Sequence, residues 1–164
     1  MKYVKACIPY VIIVAVVLLI RTFIVTPVRV NGTSMDPTLQ NNEVLLLKKY
    51  DHNYSRFDIV VLNYNGEKLV KRIVGLPGEH VKYENNILYI DGEVVEEPFL
   101  DDYTSDFDLT SLGVTTIPDH YYFVMGDNRN NSTDSRIIGL VSKDNIIGST
   151  DFALFPFSRF GSIK

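Results

Sequence analysis

Two side chains far apart in the chain have the right types for acyl-transfer chemistry: Ser34 and Lys71. Ser34 lies in Gly32-Thr33-Ser34-Met35-Asp36-Pro37-Thr38-Leu39. Gly32 lets backbone approach a ligand with no side chain in the way. Pro37 fixes its own φ and biases Asp36 away from helix. Such a segment can hold a serine hydroxyl outside regular structure, but the hydroxyl is a weak nucleophile until a base takes its proton. Histidine is poorly placed to be that base. Gly32-Thr33-Ser34-Met35-Asp36 is not a G-x-S-x-G elbow, and His52, His80 and His120 are scattered without ligand or triad spacing. Lysine can replace histidine if its neutral form is accessible near pH 7.

Lys71 sits in an alternating run. Leu69, Lys71 and Ile73 share one strand face, and Val70, Arg72 and Val74 share the other. Burial among apolar groups disfavours the ammonium. A working base needs a fall from ~10.4 toward ~7–8, which is roughly 3 units or ~4 kcal/mol of differential solvation. A third segment runs Gly126-Asp127-Asn128-Arg129-Asn130-Asn131-Ser132-Thr133-Asp134-Ser135-Arg136. Ser132 is suited to hydrogen-bond the amine and orient it, and Asp134 and Arg136 to form an ion pair that pins the loop. Each segment also has a plainer reading by itself: a turn at Ser34, a surface lysine on a strand edge, an Asx- and Ser-rich loop.

The elements that must position these residues are mostly short strands. Alternation and turn signals predict strands over residues 27–30, 43–50, 57–62, 68–74, 80–83, 87–90, 121–125 and 146–155. Asn65-Gly66 marks a tight hairpin, as do the turns at residues 84–86 and at Asp91-Gly92. Residues 93–108 carry seven acidic side chains and no basic one, which reads as a solvated loop or flap. The expected fold is mostly β: an antiparallel, barrel-like domain over residues 26–164 with a small inserted β subdomain at 76–118.

The N-terminus has a different character. Residues 6–20 carry no charge, and residues 3–25 are long enough to cross ~30 Å of hydrocarbon at ~1.5 Å per residue. Residues 1–25 are therefore expected to form one transmembrane helix that anchors the chain in the lipid bilayer. No small-residue cleavage pattern follows the run, which favours a retained anchor over a removed leader. Lys2 and Lys5 favour a cytoplasmic N-terminus and an extracytoplasmic remainder, with Arg21 weakening that bias. The 164 residues carry a net charge of −4 and no Lys/Arg cluster, so nucleic acid is not an expected partner. The single cysteine, Cys7, rules out an internal disulfide and a Cys-based metal site. The aromatic run over residues 152–160 either touches lipid or fills the β core.

Taken together, the three segments resemble the type I signal peptidases, in the family's order. Ser34-Met35-x-Pro37-Thr38-Leu39 is similar to the nucleophile box, Lys71-Arg72-Ile73-Val74-Gly75-Leu76-Pro77-Gly78 to the general-base box, and Gly126 through Arg136 to the structural box beside the site. The resemblance implies a membrane Ser–Lys endopeptidase that removes signal peptides from exported preproteins after small residues at −1 and −3. It implies no metal or organic cofactor, and the chain is expected to act as a monomer. Ser34 would attack, Lys71 would act as base, and Ser132 would orient Lys71. The Ser34 N–H would be one oxyanion donor. Some members carry a serine hydroxyl as second donor where this chain has Gly32. Asp127 would anchor its loop, with Arg72 as its partner, and Asp134 would hold Arg136. Two other readings compete: a silent binding protein of the same fold, and a self-cleaving Ser–Lys repressor, which the anchor and the lack of a DNA-binding helical region oppose.

Overall fold

The computed structural model describes residues 2–50, 52–100 and 102–163. A 22-residue helix, α1 (Lys2–Phe23), leads directly into a β domain. Its strands are β1 (Val25–Arg29), β2 (Val44–Lys48), β3 (Ile59–Tyr64), β4 (Glu67–Gly75), β5 (Val81–Glu84), β6 (Ile87–Ile90), β7 (Glu93–Val95), β8 (Phe107–Asp108), β9 (Tyr121–Met125), β10 (Val141–Ser142), β11 (Ile146–Thr150), β12 (Phe152–Phe155) and β13 (Gly161–Ser162). All pairings are antiparallel. The larger sheet follows the order β10-β9-β4-β3-β11-β2-β12-β13, with β1 on β2, and the smaller follows β7-β6-β5-β8. The small sheet lies within the stretch expected to be inserted.

Local chemistry explains the hairpins. Asn65 and Gly66 join β3 to β4 with φ of +50° and +84°, the left-handed pair that a type I′ turn requires. Asn85-Asn86 and Asp91-Gly92 repeat the device in the small sheet. The central strands bury both faces: Ile59 and Val61 pack with Val28, Met35, Leu39, Leu45 and Leu47, while Val60 and Leu62 pack with Tyr54, Ile73 and Tyr122. A third cluster, including Val74, Tyr83, Leu88, Phe123 and Met125, joins the two sheets.

Three expected elements differ, the first being residues 93–108, read as a loop or flap, which contribute β7 and β8 to the small sheet. The run at 57–62 begins its ladder only at Ile59, because Phe57 sits at φ +72°. The run at 146–155 is two strands: β11 pairs mainly with β3, β12 pairs with β2 and β13, and the ladder breaks at Asp151, which takes an ion pair from Lys48 at 2.6 Å.

The apolar side chains of α1 from Ile8 to Leu19 are exposed on all sides. Among the described residues no helix is long and apolar enough to cross a membrane, so the fold alone does not establish the expected span. The C-terminal aromatics do not all fill the core: Phe155, Phe157 and Phe160 are exposed.

Candidate active site

Ser34 projects from a turn after β1, half-buried. Met35 and Leu39 are driven into the core at 1% and 0% exposure, which nails down the turn from below. Pro37 is exposed and caps the bend, with Asp36 N–H donating to Thr33 O at 3.1 Å and Leu39 N–H to Met35 O at 2.8 Å. From the other side the 126–133 loop grips the same turn. Asn128 N–H donates to Ser34 O at 3.1 Å, Asn128 Nδ2 to Thr33 O at 3.1 Å, and Asn131 Nδ2 to Thr33 Oγ1 at 3.0 Å. Gly32 takes a left-handed φ of +92°, and its N–H donates to Asn41 Oδ1 at 3.0 Å. That N–H is therefore already engaged, while the Ser34 N–H has no hydrogen-bond partner among the described residues.

Lys71 reaches Ser34 from β4. The alternation of Leu69, Lys71 and Ile73 puts it on the face of Val60, its cross-strand partner on β3. Lys71 is 2% exposed, and its Nζ lies 2.6 Å from Ser34 Oγ. Burial pulls its pKa from 10.5 down to about 8, against the opposing pull of the Asp134 and Asp127 carboxylates. The next residue, Arg72, points to the opposite face, where it forms a two-pronged pair with Asp127: Nε to Oδ1 at 2.9 Å and Nη2 to Oδ2 at 2.6 Å. Both partners are buried, so the pair ties β4 to the start of the 126–136 loop. Phe99 covers the Arg72 guanidinium, with its ring centre 3.8 Å away.

The same loop is fixed at its far end by Asp134. Its carboxylate accepts from Gly126 N–H at 3.1 Å and from Arg136 Nε and Nη2 at 2.9 Å each, and it caps the short helix α2 (Ser135–Ile138). Close packing at Gly126 explains the glycine. A Cβ there would lie 2.3 Å from both Ser34 O and Ser132 Oγ, a separation no side chain tolerates. Ser132 departs from expectation. It lines the Ser34–Lys71 cleft, but its Oγ is buried with no hydrogen-bond partner, so the expected bond to the Lys71 amine is not made. The serine stands in the cleft wall, and the Lys71 amine is directed at Ser34 instead.

Asn31, Gly32, Thr33, Ser34, Leu69, Lys71 and residues 130–133 enclose a cleft of about 420 Å³. It places a hydroxyl, a desolvated amine and an unengaged backbone N–H around one space, which suits attack on a carbonyl. Several supporting residues were missed from the sequence. Asn41 carries no signal beyond loop composition, and Asn128 lies inside the Gly126–Arg136 segment, where its type alone gives it no role. Glu97 lay hidden in the acidic run: it is nearly buried and ion-paired to Arg129 at 2.6 Å, so that run is not simply a solvated flap. Among the described residues no cluster of His, Cys, Asp and Glu could hold a metal ion.

The mostly antiparallel β fold and this cleft are those of a β-rich hydrolase. The chain belongs to the signal peptidase family, peptidase S26, whose model matches residues 1–155. It is 46% identical to signal peptidase I S of Bacillus subtilis (strain 168), over 91% of this chain and 87% of the relative. It is 45% identical to signal peptidase I of Bacillus amyloliquefaciens, over 93% and 89% respectively. Among solved structures, a signal peptidase I from Enterococcus faecalis V583 aligns with a TM-score of 0.56 and 38% identity, covering 59% of this chain and 96% of that one.

Proposed function

We propose that the chain cleaves signal peptides from exported preproteins by a Ser–Lys mechanism while anchored in the membrane. The observation that carries this reading is the 2.6 Å approach of Lys71 Nζ to Ser34 Oγ where the amine is buried. In the productive state the neutral amine accepts the Ser34 proton as Oγ attacks the scissile carbonyl. The ammonium so formed then donates to the departing amine, leaving an acyl-enzyme. Water, deprotonated by the same amine, releases the acyl group and regenerates Ser34. The Ser34 N–H stabilises the oxyanion. The second donor falls to a water or another backbone N–H, since Gly32 has no hydroxyl and its own N–H is engaged by Asn41. Ser132 closes the cleft wall beside the amine, and Met35, Pro37, Arg72, Asp127, Asp134 and Arg136 hold the pieces in register.

The membrane part of the reading rests on α1. From Ile8 to Leu19 the helix is apolar and its side chains are exposed, and lipid is the solvent that suits such a surface. Residues 1–25 anchor the chain with the N-terminus cytoplasmic, and residues 26–164 work outside as a monomer. Phe155, Phe157 and Phe160 rest on the lipid surface, which sets the cleft close to a substrate whose cleavage site follows its own apolar segment. The test is incubation of detergent-solubilised protein with a preprotein, comparing wild type, Ser34→Ala and Lys71→Ala. Both variants are expected to lose turnover while staying folded. Activity retained by Lys71→Ala sinks the mechanism.

A further inference from the structure

One buried charge pair lies outside the site and touches it through a single arginine. Arg129 is 3% exposed, three residues before Ser132, and every arm of its guanidinium is engaged. Nε donates to Gly126 O at 3.1 Å. Nη1 donates to Thr104 Oγ1 at 2.7 Å and Tyr83 OH at 3.0 Å, and Nη2 to Glu97 Oε1 at 2.6 Å. The Tyr83 hydroxyl in turn donates to the Glu97 carboxylate at 3.0 Å. Burial pushes the Tyr83 phenol well above its ordinary range, so it stays a donor. Glu97 is thus the only acidic side chain in contact with Arg129 among the described residues. It comes from the connection between β7 and β8, far from both reacting groups in sequence. The same connection sends Phe99 over Arg72 and Asp102 onto Asn130, whose Nδ2 donates to Asp102 Oδ1 at 2.7 Å. Three side chains of residues 97–102 therefore brace the strand that carries Lys71 and the loop that carries Ser132.

We propose that Glu97 is a positioning residue for proteolysis, acting through Arg129 to hold the 126–133 loop against Ser34. The inference rests on the Ser34–Lys71 reading above. The physical reasoning is direct. Arg129 cannot lose its proton. Without Glu97 it stays charged in a buried site and draws toward water, taking Gly126 O with it. Gly126 is packed so tightly on Ser34 O and Ser132 Oγ that the turn bearing the nucleophile must follow. The acidic run is then a tether between the small sheet and the cleft.

The test is steady-state cleavage of a preprotein by the detergent-solubilised full chain, across pH, for Glu97→Ala and the isosteric Glu97→Gln, with Lys71→Ala as control. Glu97→Ala is expected to lower kcat by about 10- to 100-fold, the effect of a small misplacement of reacting groups. KM should stay within about two-fold, because Glu97 does not line the cleft. The acidic limb of the pH profile, along which activity rises as Lys71 loses its proton, should move upward from about 8 as water reaches the Lys71 amine. Glu97→Gln keeps the shape and a hydrogen bond to Arg129, stays folded, and should recover part of kcat. A merely structural role would lower the melting midpoint and the active fraction without moving that limb. Unchanged kcat and limb in both variants, or a loss confined to the active fraction, overturns the proposal. An active Lys71→Ala brings down the underlying mechanism instead, whatever Glu97 does.

Discussion

Replacing Lys71 with methionine should abolish cleavage and make the protein more stable. The magnitude follows from the desolvation of the amine. Its pKa lies at about 8 in the folded chain against 10.5 when free. At ~1.36 kcal/mol per unit, the folded state is destabilised by about 3 kcal/mol while the group is charged. The sign depends on pH. Below about 8, folded and unfolded chains both carry the proton, and the full penalty stands. Between about 8 and 10.5 the folded chain releases it first. The unfolded chain then binds more protons, so stability rises with pH through this window. Above 10.5 neither state is charged and the penalty is gone. Methionine matches the length of the stem and carries no charge. Its loss of the bond to Ser34 subtracts about 1 kcal/mol.

Lys71→Met should therefore exceed wild type by about 2 kcal/mol at pH 7, and that advantage should shrink across pH 8 to 10.5. Urea unfolding of the detergent-solubilised full chain, followed by far-UV circular dichroism at several pH values, measures both quantities. Comparing the two proteins at each pH cancels the titration of every other group. Equal stability at pH 7, or a gap that does not change with pH, would refute the claim that burial depresses this amine. The catalytic role would then have lost its physical basis.

Three further outcomes follow from the same geometry. For wild type, kcat/KM should rise tenfold per pH unit below about 8 and level off above it, because on the proposed mechanism only the neutral amine accepts the Ser34 proton; a stopped-time preprotein assay across pH 6–10 reads this. Asp127→Ala strands Arg72 in a buried site and should destabilise the fold by about 3–5 kcal/mol, seen as a lower urea midpoint. Gly126→Ala forces a methyl group onto Ser34 O and Ser132 Oγ and should lower kcat by about 100-fold or more; circular dichroism checks that the fold survives.

What could be read beforehand was local. Residue type and a period of two placed Lys71 on an apolar face, and the turn chemistry of Asn65-Gly66 and Asp91-Gly92 located two hairpins without any tertiary information. The Asp134–Arg136 pair was legible because its members are two residues apart on one turn. The Arg72–Asp127 pair spans 55 residues, and it could be named only because the order of the boxes resembles a known family. Where no such pattern exists, composition misled. Residues 93–108 look solvated because charge is counted without its partner, yet Glu97 spends its charge on Arg129, 32 residues away. Ser132 misled in the opposite sense: its type suited a bond to the amine, but Gly126 lets the serine pack so close to the Ser34 turn that its hydroxyl ends unpartnered. Propensity and periodicity report what a residue does with its own neighbours. The buried polar contacts that align this cleft join loops carried by the nine-stranded sheet, and a desolvated lysine stays beside a serine only while those contacts exclude water from both.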